Sequence, residues 1–219
     1  MVISYYCPAN QTVAKLKHIN ELIISSSLNS HVDAIKSVVK NDAIYISCDK
    51  DNFFETLCLV HQDNNINCTQ LIDIIGVDYP HKTERFQVIY SLLSLEHNIR
   101  VFITVNIKQG DSLPSITSII PNANWLEREV WDMFGITFDN HPNMRRILTD
   151  YGFTGHPLRK DFPLSGHVET YYDEDDKAVK YRPVDLEQEY RDFKANYTWE
   201  HSYYDKIINS KQNHNNNKD

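Results

Sequence analysis

The chain has 219 residues, 41% hydrophobic and 24% charged, with a formal net charge of −8. That length suits one domain with a sizeable core, or one domain plus a long appendage, and no uncharged run approaches the ~20 apolar residues of a membrane-spanning helix. The negative balance argues against a general nucleic-acid binder, whose affinity comes mostly from neutralising phosphates with Lys and Arg.

The opening MVISYYCPANQTVAKLKH has neither the apolar core of a secretory signal nor the Arg-rich character of an import peptide, so the protein is expected to work where it is made. From Thr12 to Ile24, Val13, Leu16, Ile19 and Leu22 or Ile23 recur at helical spacing. Next come a strand at Ala43 to Ser47, a helix from Asn52 to Val60 capped by Asp51 or Asn52, and a strand at Gln70 to Val77. Cys7, Cys48, Cys58 and Cys68 form no C-x-x-C pair, which points to free thiols in a reducing compartment and to neither a zinc nor an iron–sulfur site.

The clearest element is a hairpin. Phe86, Val88, Tyr90 and Leu92 recur at every second position, as do Val101, Ile103, Val105 and Ile107, with Glu96 to Asn98 at the turn. Ser115 to Ile120 is expected as a strand or a lead-in. A helix follows, with Asn124 as N-cap, Glu127 in the first turn and Gly135 as terminator. Leu126, Val130, Met133 and Phe134 share its apolar face, Glu127 and Glu129 border that face, and Arg128 and Asp132 lie opposite. The expected fold class is α+β: an antiparallel or mixed sheet with flanking helices, then a long extended C-terminal segment.

The stretch HPNMRRILTDYGFTGHPLRKDFPLSG, residues 141–166, holds three of the six glycines and three of the eight prolines. Ordering its 26 residues without regular structure costs roughly 1 to 2 kcal/mol per residue. Met144, Ile147, Leu148, Tyr151, Phe153, Leu158, Phe162 and Leu164 can offset that cost by burial. So irregular a run inside one compact domain is uncommon, which favours a partner surface over the chain's own domain. His141, His156 and His167 stand 15 and 11 residues apart and match no metal-binding spacing. Phosphate-cradling glycine motifs are absent.

NWLEREVWDMFGITF at 124–138, followed by the stretch at 141–166, resembles the signature of the 30-kilodalton subunit of respiratory complex I, known as NADH dehydrogenase subunit 9 when encoded in mitochondrial DNA. Gly76-Val77-Asp78, Arg85-Phe86, Tyr171-Tyr172-Asp173 and Gln188-Glu189 extend the likeness more loosely, and Asn143 and Met144 depart from the usual Asp and Leu. The resemblance implies a non-catalytic core subunit of the hydrophilic arm, in the quinone module of the proton-pumping NADH:ubiquinone oxidoreductase. Its implied partners are the 49-kilodalton subunit and the cluster-bearing subunit of that module, with no nucleic acid. The complex would use FMN, iron–sulfur clusters, NADH and ubiquinone, none of them bound by this chain. The implied place is the matrix side of the mitochondrial inner membrane, peripheral to the bilayer. A related hydrogenase or plastid dehydrogenase is the alternative, and a standalone metal enzyme using His141, His156 and Asp161 is a further one.

On this reading residues 1–138 form a globular domain, 139–199 an extended partner-binding segment and 200–219 an Asn-rich disordered tail. Glu127, Arg128 and Glu129 are expected to hold the helix against the loop. Arg145, Arg146, Arg159, Lys160 and Asp161 are expected to make charge-assisted contacts within the loop or with a neighbour. Tyr151, Phe153, His156 and Phe162 complete the expected interface.

Overall fold

A computed structural model of the chain describes residues 17, 18, 20, 21, 36–40, 43–64, 66–186 and 188. The helix expected over 12–24, except at 17, 18, 20 and 21, and the Asn-rich tail lie outside those residues. The chain divides into two compact units, the first ending at Leu164 and the second beginning at Ser165.

In the first unit the elements are β1 (Lys36–Lys40), β2 (Ala43–Cys48), α1 (Lys50–Gln62), β3 (Gln70–Asp78), β4 (Phe86–Ser94), β5 (Ile99–Ile107), β6 (Ser112–Pro114), α2 (Ala123–Phe134) and β7 (Thr137–Asp139). Five of the strands form a mixed sheet in the order β1-β2-β5-β4-β3, in which only β2 and β5 run parallel. The expected hairpin is β4–β5, its turn closed by Asn98 at φ 52°, a left-handed conformation that Asn tolerates. The alternation seen in the sequence sets its faces. Val88, Tyr90, Val101, Ile103 and Val105 are buried, and both helices pack on their side. Phe53 of α1 meets the Tyr90 ring with centroids 4.5 Å apart. Phe134 of α2 lies over Gly76, where a Cβ would come within 2.6 Å of the ring.

The helix starts differ from expectation. Helix α1 begins at Lys50 after Asp49, so neither Asp51 nor Asn52 is its cap. Helix α2 begins at Ala123, and Asn122, not Asn124, precedes it without a side-chain cap bond. The reason is local: the Ala123 and Asn124 N–H groups donate to the Ile120 and Pro121 carbonyls of the preceding turn, so the first amides already have acceptors. The Asn122 side chain instead donates to the Leu71 carbonyl of β3. Residues 115–120 form a turn-rich lead-in, and the strand beside them is the three-residue β6, paired in parallel with β7.

The second unit carries an antiparallel hairpin of β8 (Val168–Asp173) and β9 (Ala178–Pro183), an element the sequence reading did not anticipate.

Candidate interaction site

Helix α2 is covered twice, by the sheet on its apolar face and by residues 141–162 on its polar face. Asp132 is the centre of the second cover. Its side chain is fully buried, and five donors converge on it. Arg146 Nη1 lies 2.7 Å and the Thr149 hydroxyl 2.5 Å from Oδ1, while the successive N–H groups of Ile147, Leu148 and Thr149 donate to Oδ2 over 3.0, 2.9 and 3.0 Å. Burial alone would push this carboxyl up. The Thr149 bonds and the other two backbone N–H groups reverse that and hold it well below the usual carboxylate range.

The same stretch caps the end of the helix. The last carbonyls of a helix have no partners within it and carry a partial negative charge. Here His156 Nδ1 donates to the Asp132 carbonyl (3.0 Å), the Leu158 N–H to that of Met133 (3.0 Å), and the Arg159 guanidinium to those of Phe134 and Gly135. A carbonyl only accepts, so His156 carries its proton on Nδ1. Burial first, and then the Arg159 and Arg146 charges, hold its pKa below the ordinary value. Gly135 is left-handed at φ 74°, and a Cβ there would fall on His156 and Arg159. Gly135→Ala is therefore expected to cost about 1 to 3 kcal/mol in backbone strain, with a further loss from the displaced caps, read as a drop in urea midpoint.

A second anchor holds the far end. Arg85 grips the buried Asp78 carboxylate with Nε at 2.7 Å and Nη2 at 2.9 Å, and Nη2 also reaches Asp161 at 3.0 Å. Lys160 joins through its backbone N–H, which donates to Asp78 Oδ2 over 2.8 Å. The Arg85 hydrogen bonds outweigh burial and keep the Asp78 pKa low.

Glu127 anchors the near end with far fewer donors. It is fully buried and, among the described residues, accepts from the Ser115 hydroxyl (2.7 Å) and the Ile116 N–H (2.8 Å), and burial pushes its pKa up. His141 Nε2 stands 3.9 Å away. His141 accepts the Asn143 N–H at Nδ1, so Nε2 holds the proton and donates to the Asn124 carbonyl. Glu127→Ala would strand the buried Ile116 amide, costing about 1 to 3 kcal/mol, while the Ser115 hydroxyl keeps Thr117 Oγ1 at 2.9 Å. Glu127→Gln can serve both, so its stability should stay within about 1 kcal/mol of wild type at neutral pH. Because the folded value is raised, protonation of Glu127 favours the fold. Wild type should gain stability as pH falls through that value, and the Gln variant should lack the gain in denaturation curves taken along a pH series.

Several residues singled out in the sequence thus meet. Arg128 donates to the Arg145 and Arg146 carbonyls, Arg146, His156, Arg159 and Asp161 take the roles above, and the Phe153 and Phe162 rings lie 5.8 Å apart. Others stand apart. Glu129 is exposed, and Glu127 is not a bordering acid but a buried tie to residues 115 and 116. Arg145, Lys160 and Tyr151 are exposed, and the two cations pair with no described residue. Sequence reasoning gave no role to Asp132, Asp78 or Arg85. Through residue 162 the ordering surface is the chain's own, helix α2 together with Asp78 and Arg85, where the sequence favoured a partner.

The family model described as the respiratory-chain NADH dehydrogenase 30-kilodalton subunit matches residues 46–168, which include β3, β4 and β5, both helices and the whole wrapped stretch. The chain belongs to this family. It is a subunit of the peripheral arm of an NADH–quinone oxidoreductase. It is 50% identical over 153 residues to a subunit of the NADH-quinone oxidoreductase of Ruegeria pomeroyi, covering 70% of this chain and 76% of that one. It is 49% identical over 150 residues to NADH dehydrogenase [ubiquinone] iron-sulfur protein 3 of Arabidopsis thaliana, covering 68% and 79%. A chain in the structure of an archaeal membrane-bound sulfane sulfur reductase shares the fold, with a TM-score of 0.58 and 23% identity over 68% of this chain and 85% of that one.

The plant relative's name raises the question of an iron–sulfur cluster in this 30-kilodalton family member. The described cysteines, Cys48, Cys58 and Cys68, form no ligand set for one. Burial pushes the Cys48 and Cys68 thiols up to about 12, the behaviour of buried structural thiols. Among the described residues no three His, Cys, Asp or Glu side chains gather as a ligand set.

Proposed function

We propose that the chain is a non-catalytic scaffold of the quinone module, docked to the 49-kilodalton subunit through the outer surface of its 141–164 belt and binding no cofactor of its own. One observation carries this reading. The belt's apolar residues divide: Met144, Ile147, Phe153 and Phe162 are partly buried, while Leu148, Tyr151, Leu158 and Leu164 are exposed, Tyr151 at 88% and Leu164 at 90%. The cations divide the same way. Arg146 and Arg159 are spent on the chain's own helix, whereas Arg145 and Lys160 face outward with the exposed apolar group. Exposed apolar side chains accompanied by cations that pair with no described residue fit a protein surface with acidic groups at its rim.

Against a standalone metal enzyme, both ring nitrogens of His141 bond backbone groups, Asp161 pairs with Arg85, and among the described residues no three His, Cys, Asp or Glu side chains gather around the remaining His156 Nε2. Among the described residues no helix is long and apolar enough to cross a membrane, so attachment to the mitochondrial inner membrane, on the matrix side, would come through the complex. Purification of the native chain with its partners identified by mass tests the proposal. A 49-kilodalton subunit and a cluster-bearing neighbour in the same particle are expected. Recovery of the chain alone, or with a hydrogenase or a plastid dehydrogenase, would overturn it.

A further inference from the structure

The polar groups buried around Glu127 fit two charge states of its carboxyl group. Oε1 takes the Ile116 N–H, and Oε2 meets the Ser115 hydroxyl, which lies 2.9 Å from the Thr117 hydroxyl with either able to donate. With Glu127 protonated, the acid donates to Ser115 and Ser115 to Thr117. With Glu127 ionised, the two hydroxyls reverse and Ser115 donates to the carboxylate.

Two further donors stand near the carboxyl group without serving it. Tyr90 is wholly buried, and its hydroxyl has no hydrogen-bond partner among the described residues. So complete a burial without a partner calls for a reason. Burial first, and then the Glu127 charge, keep that hydroxyl protonated. His141, buried as well, donates from Nε2 to the Asn124 carbonyl at 3.2 Å, with Glu127 Oε2 at 3.9 Å. A carboxylate has room for about four hydrogen bonds, more than this one receives. The titratable groups facing it are Tyr90 of β4, with Cys48 of β2 acting on Tyr90, and His141 of the belt, with Arg128 of α2 acting on His141. Residues 115–117 contribute hydroxyls and an amide.

The geometry points to a proton latch at the entry of the belt: protonated Glu127 leaves His141 on the Asn124 carbonyl, and ionised Glu127 draws the His141 Nε2–H and the Tyr90 hydroxyl to itself. On ionisation the Glu127 proton passes to Ser115 as the Ser115 proton passes to Thr117 and the Thr117 proton to water, Thr117 being the partly exposed end of the chain of hydroxyls. His141 Nδ1 holds the Asn143 N–H at 3.1 Å, so a ring that turns toward Glu127 moves or breaks that bond. The charge of a buried acid is thereby passed to residues 141–143, where the belt begins. Burial pushes Glu127 upward, so the change falls above the ordinary glutamate value of about 4.3.

The test is a pH titration of the full chain with two readouts, the infrared carbonyl stretch of a protonated acid and the NMR signals of the His141 ring and the Asn143 amide. A band that Glu127→Gln lacks should persist above the ordinary glutamate range. The His141 and Asn143 signals should shift with the midpoint of that band, and in Glu127→Gln they should hold still over the same range. Tyr90→Phe removes an unpaired hydroxyl and keeps the ring, and it should raise the midpoint by withdrawing a donor from the ionised form. The latch is overturned if Glu127 is ionised at every pH at which the chain is folded. It is equally overturned if the Asn143 amide titrates in Glu127→Gln as in wild type, or if Tyr90→Phe leaves the midpoint unmoved.

Discussion

Asp132→Ala should lower the unfolding free energy of the purified chain by about 3 to 5 kcal/mol, the usual cost of leaving the partner of a buried charge uncompensated. The magnitude follows from what remains behind: a guanidinium at Arg146, three consecutive amides and a hydroxyl, all aimed at an empty position. Asp132→Asn should recover little of the loss, because its one carbonyl oxygen cannot serve both clusters of donors and its NH2 group would face N–H groups. In both variants residues 141–162 should become the first site of protease cleavage while the sheet stays folded. The pH dependence has a definite sign. The folded pKa of Asp132 is depressed, so its contribution is complete above the ordinary carboxylate value of about 4 and disappears as pH falls through the folded value. Acid unfolding should therefore begin with release of this belt, and Asp132→Asn should flatten the acid limb of the stability curve.

The second large effect lies on the outer surface and leaves stability alone. Tyr151→Glu and Leu164→Glu change side chains that are 88% and 90% exposed. Surface changes of this kind usually fall within about 0.5 kcal/mol in stability. At the centre of an interface each should cost about 2 kcal/mol or more of binding, roughly a thirtyfold loss. The contrast with Arg146 separates the two faces of the belt. Arg146→Ala should destabilise the purified chain, whereas Arg145→Ala, one position away, should leave it unchanged and weaken only assembly. Incorporation of the Tyr151 and Leu164 variants at wild-type levels would show that the belt's outer face is not the docking surface.

The fold was legible wherever side-chain alternation or spacing reports burial directly. Phe86 to Leu92 and Val101 to Ile107 gave the central hairpin, and Gly135 gave the end of α2. The three-residue strands β6 and β7 are too short to show alternation, and β8 to β9 was hidden because its exposed face is the apolar one. Periodicity put Arg128 and Asp132 opposite the apolar face, where they are, without showing that this side is buried as well. It finds the polar side of a helix, but it cannot tell water from a second layer of chain whose own backbone supplies the polar partners. Asp78 stayed silent for a related reason: its partner amide at Lys160 lies 82 residues away, and no local pattern encodes such a pairing. The breaker-rich composition of 141–166 did mark the site. What it withheld was the surface that orders the stretch, because the entropy cost demands compensation without specifying which groups supply it.

Amide hydrogen exchange across 141–164, measured on the purified chain and on the chain within its complex, tests most directly whether helix α2 orders the belt. The amides of Ile147, Leu148, Thr149 and Leu158, which donate to Asp132 and to the Met133 carbonyl, are expected to be slow already in the purified chain. Fast exchange at these four positions in the purified chain, with protection only in the complex, would contradict that expectation, because the partner and not helix α2 would then be what orders the belt.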